Sequence, residues 1–366
     1  MPRTSYQATL SRRGLIAAPD PTAPGRTVGS GCYISTMTTN GWPGEQAPAQ
    51  DPEPQQVRIT VDGPFSLAAA AAFGFGPNTG RPRPDEQQMR LAFVTDDMEH
   101  QAGVVVSQQP DGRLLAEISG VWNTSAAVSQ LQRILSVDRP VGGWLEAGRK
   151  DPVLGALQAR HGGLRPVLFH SPYEAAAWGI IAQRRHRVQA AALRVRLSAE
   201  LGRPFELAGR TEYAFPLPQR LRELDSFPGM EPARVARLRG VAERALRHQL
   251  DPARLIALGT EQALAELQAI PGIGPVYAGL IFLRATGVTD ALTLGEPRLP
   301  SYLRHYYSLP EIPDDEAIRR LAEPWRPFRT WAGVLLRVAG DADELPWQAG
   351  PREGARRPRR APGSSR

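Results

Sequence analysis

Cysteine is nearly absent from this 366-residue chain: Cys32 is the only one. That excludes a disulfide within the chain, a cysteine-ligated iron–sulfur cluster and a structural cysteine–zinc site. Histidine is scarce too. The six His are scattered, with no HExxH or other paired spacing, so no transition-metal site is expected. Lys150 is the only lysine among 44 basic residues, so almost no amine is available as a nucleophile. No run of eighteen or more apolar residues occurs, so no membrane-spanning helix is expected. The best candidate, Ala68–Phe75, is short and Ala-rich and reads as part of a core helix. Arg3, Arg12 and Arg13 are not followed by an apolar stretch. The N-terminus therefore does not read as a secretory signal, and the cytosol is the expected compartment.

What is present fits a globular protein. The length suits two or three domains with real cores, and the apolar content of 42% is that of a folded chain. Net charge is +7, but residues 351–366 hold six Arg against Glu353, and residues 1–56 balance at four Arg against four acids. The body between carries only about +2, so net charge alone does not argue for a polyanionic partner. Residues 171–250 differ, with fourteen Arg against eight acids. That excess reads either as a phosphate-facing surface or as a solvated helix face.

Residues 1–56 are rich in Pro, Gly, Ser, Thr and Gln without periodicity and are expected to be disordered. Met37 is an alternative start, which would make 1–36 an artefact of the gene model. Residues 346–366 read as a disordered basic tail. Between the tails, Val57–Asp62, Leu91–Thr95, Gly103–Ser107 and Arg113–Ser119 read as strands, with a turn at Gln109-Pro110-Asp111-Gly112. Phe65–Phe75 and Thr124–Leu135 read as helices, the second with Thr124 as N-cap. The expectation is an α+β domain over 57–148, an antiparallel sheet with helices.

A mostly helical domain is expected over 149–345. Ser171-Pro172-Tyr173-Glu174 has the form of a capping box with Pro at the first helical position. The helix that follows carries Trp178 and Ile181. Val188–Leu201, ending at Gly202, Ala233–Leu250, Thr260–Ala269, Pro275–Ala285, Asp314–Ala322 and Pro327–Val338 complete a set of short amphipathic helices.

Two of these helices flank Ile270-Pro271-Gly272-Ile273-Gly274. Two glycines two apart let the backbone turn tightly and adopt positive φ. Without side chains at Gly272 and Gly274, backbone N–H groups can approach a phosphate oxygen closely. The N-terminus of the next helix, with Pro275 in its first turn, adds partial positive charge. Ile273 is expected to plug the core between the helices. The bland alternative is an ordinary αα-hairpin with a glycine turn.

The whole string Leu267-x-x-Ile-Pro-Gly-Ile-Gly-x-x-x-Ala278 closely resembles the helix–hairpin–helix consensus, which grips a DNA backbone; the unit is expected at 260–286. Ser171-Pro-Tyr-Glu-Ala-Ala-Ala-Trp-Gly-Ile-Ile-Ala-Gln183 lies upstream. Leu294-Gly-Glu-Pro-Arg-Leu299 and Glu323-Pro-Trp-Arg-Pro-Phe-Arg-Thr-Trp331 lie downstream. In this order they resemble the alkylpurine (3-methyladenine) DNA glycosylases of the helix–hairpin–helix superfamily, over about residues 57–340.

That resemblance implies the remaining assignments. Breaking an N-glycosidic bond builds positive charge on the deoxyribose, which a nearby anion stabilises. At about 4 Å and an effective dielectric near 20, one charge pair contributes about 4 kcal/mol, roughly a thousandfold in rate. The family uses an aspartate; the aligned residue here is Glu296, one methylene longer, whose bland reading is a solvated loop acid. Bifunctional relatives place a Schiff-base lysine where this chain has Val276, so no β-lyase activity is expected. Pro271, Gly272, Ile273 and Gly274 would hold the phosphate backbone. Gln183 and Arg184, within Gln183–His186, would border the opened duplex, Arg184 standing where relatives insert a wedge. Two aromatic positions of the family's base pocket fall on Leu280 and Arg337, with Tyr277 and Trp178 as candidate substitutes and Tyr173 and Trp331 behind them. Aromatics at these spacings also read as core.

The expected function is a monofunctional N-glycosylase that excises alkylated or destabilised purines from double-stranded DNA. It would act as a monomer in the cytoplasm, associated with the nucleoid, without a metal or organic cofactor. The resemblance also allows a monovalent cation at the hairpin carbonyls. The rival is a catalytically weak or inactive DNA-binding or damage-sensing protein of the same fold. A third reading is an interaction module with no DNA role.

Overall fold

The computed structural model describes residues 52–73, 88–292, 294 and 296–347. Cys32, Met37 and most of the two expected tails lie outside them. The described residues fall within one compact unit.

Four antiparallel strands form the sheet: β1 (Gln55–Ile59), β2 (Gln88–Val94), β3 (Gln101–Gln108) and β4 (Leu114–Ser119), in spatial order β1-β4-β3-β2. Gln55 and Gln56, expected in the tail, already pair with Ile118 and Glu117. The expected turn links β3 to β4, with Gly112 at φ +83° and its N–H donating to the Gln109 carbonyl. Alternation sets the inner face: Leu91 and Phe93, Val104 and Val106, and Leu114, Ala116 and Ile118 are buried together. Helices α1 (Leu67–Phe73) and α2 (Thr124–Ile134) cover that face. Asn123 caps α2, its side chain accepting from Ser125 N at 3.0 Å, so the cap lies one residue before the expected Thr124.

Helix α3 (Gly142–Lys150) runs through the expected domain boundary at 148. Its Trp144 packs edge-on against Trp331, far along the chain. The boundary therefore cuts a helix whose core partners are C-terminal. Helix α4 (Pro152–Arg160) follows, capped by Asp151. Then come α5 (Pro172–Ala182), α6 (Arg187–Leu201), the hairpin β5 (Pro204–Leu207) and β6 (Arg210–Tyr213), and α7 (Pro218–Arg222). Sequence periodicity missed that hairpin. Its Phe205 lies on the sheet's outer face against Gly103, where a Cβ would meet the Phe205 ring at 2.6 Å. Gly202 ends α6 at φ −95°, so it is needed for space rather than for left-handed backbone. A Cβ there would overlap the Ala214 carbonyl.

The remaining helices are α8 (Pro232–Leu246), α9 (Pro252–Ala257), α10 (Thr260–Gln268), α11 (Pro275–Ala285), α12 (Leu299–Tyr306), α13 (Asp315–Leu321) and α14 (Arg329–Ala342). The expected helix Ala233–Leu250 stops at Leu246, because His248 takes φ +55° and turns the chain into α9. Among the described residues six helices, α4, α5, α7, α8, α9 and α11, begin on proline. Its fixed φ suits a first turn, and its missing N–H leaves no donor unsatisfied there. Helix α5 is buried along nearly its whole length among α6, α8 and α11.

The expected capping box at the start of α5 is half present. Ser171 Oγ accepts from Glu174 N at 3.2 Å. Glu174 does not reach back. It is buried, and its carboxylate takes Val94 N at 3.1 Å, Arg194 Nη2 at 2.7 Å and His170 Nδ1 at 3.1 Å. Burial pushes the Glu174 carboxyl up, but His170, Arg194 and the Val94 N–H outweigh it and hold it below its ordinary value. The acid ties the sheet to the helical body.

Candidate active site

The two helices and the Pro271–Gly274 turn form the expected hairpin. Gly272 has φ +95°, a left-handed conformation. A Cβ there would also meet Ile180 Cδ1 at 2.9 Å and Arg237 Cδ at 3.0 Å. Gly274 differs from the expectation: as N-cap of α11 it has φ −89° and ψ 179°, which any residue adopts. Nothing lies within 4 Å of the position a Cβ would take there. One glycine shapes the turn, and the other leaves its outer face open at a helix N-terminus. Ile273 is buried, as expected, with Cδ1 3.1 Å from where a Cβ on Gly179 of α5 would lie. Val276 is 64% exposed beside the open face.

The end of α5 reaches the hairpin. Gln183 Nε2 donates to the Gly272 carbonyl at 3.3 Å, and Arg237 Nη1 donates to Gln183 Oε1 at 2.9 Å. Arg234 Nη1 donates to the carbonyls of Ile180, Ile181 and Gln183, placing a cation at the α5 C-terminus. Arg234 and Arg237 were not singled out from sequence. Their only signal was the arginine excess of residues 171–250. The chain then turns sharply: Arg185 N donates to the Ala182 carbonyl, with Gln183 at φ −56°, ψ 122° and Arg184 at φ +55°. These angles match a type II turn, whose third residue is normally glycine. An exposed arginine there holds strained backbone at the lip of the site.

Glu296 lies on the segment between α11 and α12, and α14 pins that segment. Arg329 Nε donates to Asp290 Oδ1 at 2.6 Å. Thr330 Oγ1 accepts from Ala291 N and donates to the Ala291 carbonyl. The Arg-Thr of the terminal motif thus fixes the approach to Glu296. The partly buried carboxylate is anchored as well: its Oε2 accepts from Arg298 N at 2.8 Å and Leu299 N at 2.7 Å, at the start of α12. It is a helix-capping anion, not a loose loop acid. Its Oε1 has no hydrogen-bond partner among the described residues.

The four pocket candidates fall in different settings. Trp178 is 7% exposed and belongs to the core. Tyr277 is half-buried with its ring over Gly179, and burial raises its phenol pKa. Leu280 is partly buried at the rim of the same core, one turn along α11 from Tyr277. Arg337, on α14, lies with Nε 3.7 Å from Asp341 Oδ2. Its charge reaches Arg284, seven residues after Tyr277 on the same stripe of α11. Burial first, and then Arg337, lowers the Arg284 pKa to about 9. Tyr173 and Trp331 are core residues. No hydrogen bond joins Glu296 to Tyr277 or Trp178 among the described residues.

Known proteins supply the context for this geometry. No family model matches the sequence. A DNA-3-methyladenine glycosylase of Bacillus subtilis is 21% identical over 219 residues, covering 59% of this chain and 72% of that protein. A Mycobacterium tuberculosis protein named probable bifunctional transcriptional activator/DNA repair enzyme AlkA is 28% identical over 282 residues. That match covers 75% of this chain but only 55% of the mycobacterial protein. Among solved structures, a 3-methyladenine DNA-glycosylase from Archaeoglobus fulgidus superposes with a TM-score of 0.64 at 22% identity, covering 79% of this chain and 100% of that one. The fold is that of these DNA-glycosylase structures. The sequence is similar to proteins named DNA-3-methyladenine glycosylase and AlkA.

Proposed function

We propose that this protein is a DNA glycosylase that removes alkylated or otherwise destabilised purines from duplex DNA by hydrolysis alone. The observation that carries the proposal is the pairing of an open hairpin with an anchored carboxylate. The outer face at Gly274, at the N-terminus of α11, suits a phosphate oxygen. Glu296 is fixed through Oε2 by two main-chain N–H groups, which leaves Oε1 for the sugar. Its charge stabilises the oxocarbenium ion that forms as the base departs, and the same oxygen orients the water that attacks. The anchor takes up the extra methylene of a glutamate by holding the carboxylate rather than the chain.

Arg184 is exposed on a strained turn, which suits entry into the duplex where the flipped nucleotide leaves. Val276 offers no amine, so the reaction stops at the abasic site. Two hairpin carbonyls already accept hydrogen bonds, Ile270 O from Ile273 N and Gly272 O from Gln183 Nε2. Each oxygen keeps a second lone pair that suits a monovalent cation, and no step depends on one. The protein acts as a monomer, in the cytoplasm at the nucleoid.

The test is release of 3-methyladenine, 7-methylguanine or hypoxanthine from duplex DNA by the wild type and by Glu296→Gln. Loss of the charge is expected to slow release by roughly a thousandfold with duplex affinity retained. Duplex binding without release of any of these bases, and no effect of Glu296→Gln, would leave the damage-sensing reading in its place. The relatives' names and the fixed carboxylate favour the enzyme.

A further inference from the structure

A second carboxylate shares Arg298 with Glu296 and has no role in the scheme above. Asp341 is near the C-terminal end of α14, where the helix dipole disfavours an anion. Three groups nevertheless converge on it. Arg298 Nη1 bridges both its oxygens at 2.9 and 3.0 Å, and the Tyr302 hydroxyl donates to Oδ1 at 2.7 Å. Arg337 Nε lies 3.7 Å from Oδ2. The Arg298 guanidinium also stacks over Trp347, 5.4 Å from the ring centre. Helices α12 and α14 touch so closely here that a Cβ on Gly340 would overlap the Tyr302 ring.

Arg298 is the neighbour that endangers Glu296. Its own main-chain N–H holds Glu296 Oε2, so its side chain starts two residues from the carboxylate. Burial disfavours the Arg298 charge, but Asp341, and to a lesser degree Tyr302 and Glu296, outweigh that and raise its pKa. A guanidinium that swung onto Oε1 would cancel the charge meant for the sugar, and it would make a stronger pair than a transient cation can.

We infer that Asp341 is a positioning residue that holds Arg298 against Trp347 and away from the open oxygen of Glu296, so that the carboxylate stays available to the reacting sugar. The inference rests on the reading of Glu296 as the stabilising anion. It gives Asp341 a purpose that helix stability does not supply.

Asp341→Asn tests it, because asparagine keeps the shape and can still accept from Tyr302. Base release and duplex affinity are measured for this substitution alone and on an Arg298→Gln background. Alone, it is expected to lower kcat about tenfold with the duplex Kd unchanged. On the Arg298→Gln background it is expected to change kcat by less than about twofold, since no cation remains to misplace. An equal loss on both backgrounds means that Asp341 only supports the fold, and overturns the inference. So does no loss alone. A crystal structure of Asp341→Asn gives a readout independent of turnover. The guanidinium is expected within about 4 Å of the Glu296 carboxylate, and finding it still on Trp347 overturns the inference. If the wild type releases no base, the glycosylase reading fails, while the crystal structure still decides the clamp.

Discussion

Replacing each hairpin glycine by alanine should separate two jobs that the sequence assigns to both. At Gly272, φ is +95°, and a left-handed backbone costs an alanine about 1–2 kcal/mol. The new Cβ would also sit 3.0 Å from Arg237 Cδ, on a stem that can move aside, and 2.9 Å from Ile180 Cδ1, in a packed core that cannot do so freely. Overpacking of that kind adds about 1–3 kcal/mol. Gly272→Ala should therefore lose roughly 2–5 kcal/mol, and at about 2–4 °C per kcal/mol for a large domain the Tm should fall by about 4–20 °C. At Gly274, φ −89° and ψ 179° suit alanine, and nothing lies within 4 Å. Gly274→Ala should keep the Tm or gain about 0.4–1 kcal/mol through the unfolded chain. Its Cβ, however, fills the space where a phosphate oxygen would approach. Losing one charge-assisted hydrogen bond costs about 1.5–3 kcal/mol, so the duplex Kd should rise by roughly ten- to a hundredfold. Thermal unfolding and fluorescence anisotropy with a labelled duplex at one fixed salt concentration measure both effects. Wild-type affinity in Gly274→Ala would show that no phosphate sits there, and an unchanged Tm in Gly272→Ala would refute the conformational argument.

Two further outcomes are expected. Glu174, held below its ordinary carboxyl value of 4.5, contributes stability that is present above that pH and is lost as pH falls through the lower folded value. Glu174→Gln strands the buried Arg194 and should cost about 3–5 kcal/mol in urea unfolding at neutral pH, and the gap to the wild type should narrow below pH 4.5; a gap independent of pH would contradict the linkage. Sodium borohydride should trap no covalent DNA adduct with the wild type, since Val276, exposed beside the hairpin, offers no amine there; a trapped adduct would point to another amine.

Much of the fold was legible where the physics is local. The four strands of the sheet followed from two-residue alternation, and α10 and α11 from helical periodicity around a glycine turn. The β5–β6 hairpin was not legible. It is short, and what stabilises it is Phe205 against the bare Gly103 of a distant strand. The N-cap of α2 was misplaced by one residue because Asn123 and Thr124 can both cap, and only the backbone angles choose between them. Trp178 shows the limit for the site: an aromatic at this spacing reads more often as core than as pocket, and the structure places it in the core.

The sequence by itself determined the hairpin, the absence of an amine beside it and the carboxylate twenty-two residues beyond Gly274. Each depends on residue type and short spacing, which survive without knowledge of distant neighbours. Only the tertiary structure decided which glycine is free, which acid ties the sheet to the helices, and how Glu296 is held. Glu174 meets Val94 and Arg194, the Glu296 segment is pinned by α14, and Asp341 faces Arg298 across 43 residues of chain. Contacts of that kind come from packing between elements remote in sequence. A charge's partners, and therefore its chemistry, are fixed only when those elements meet.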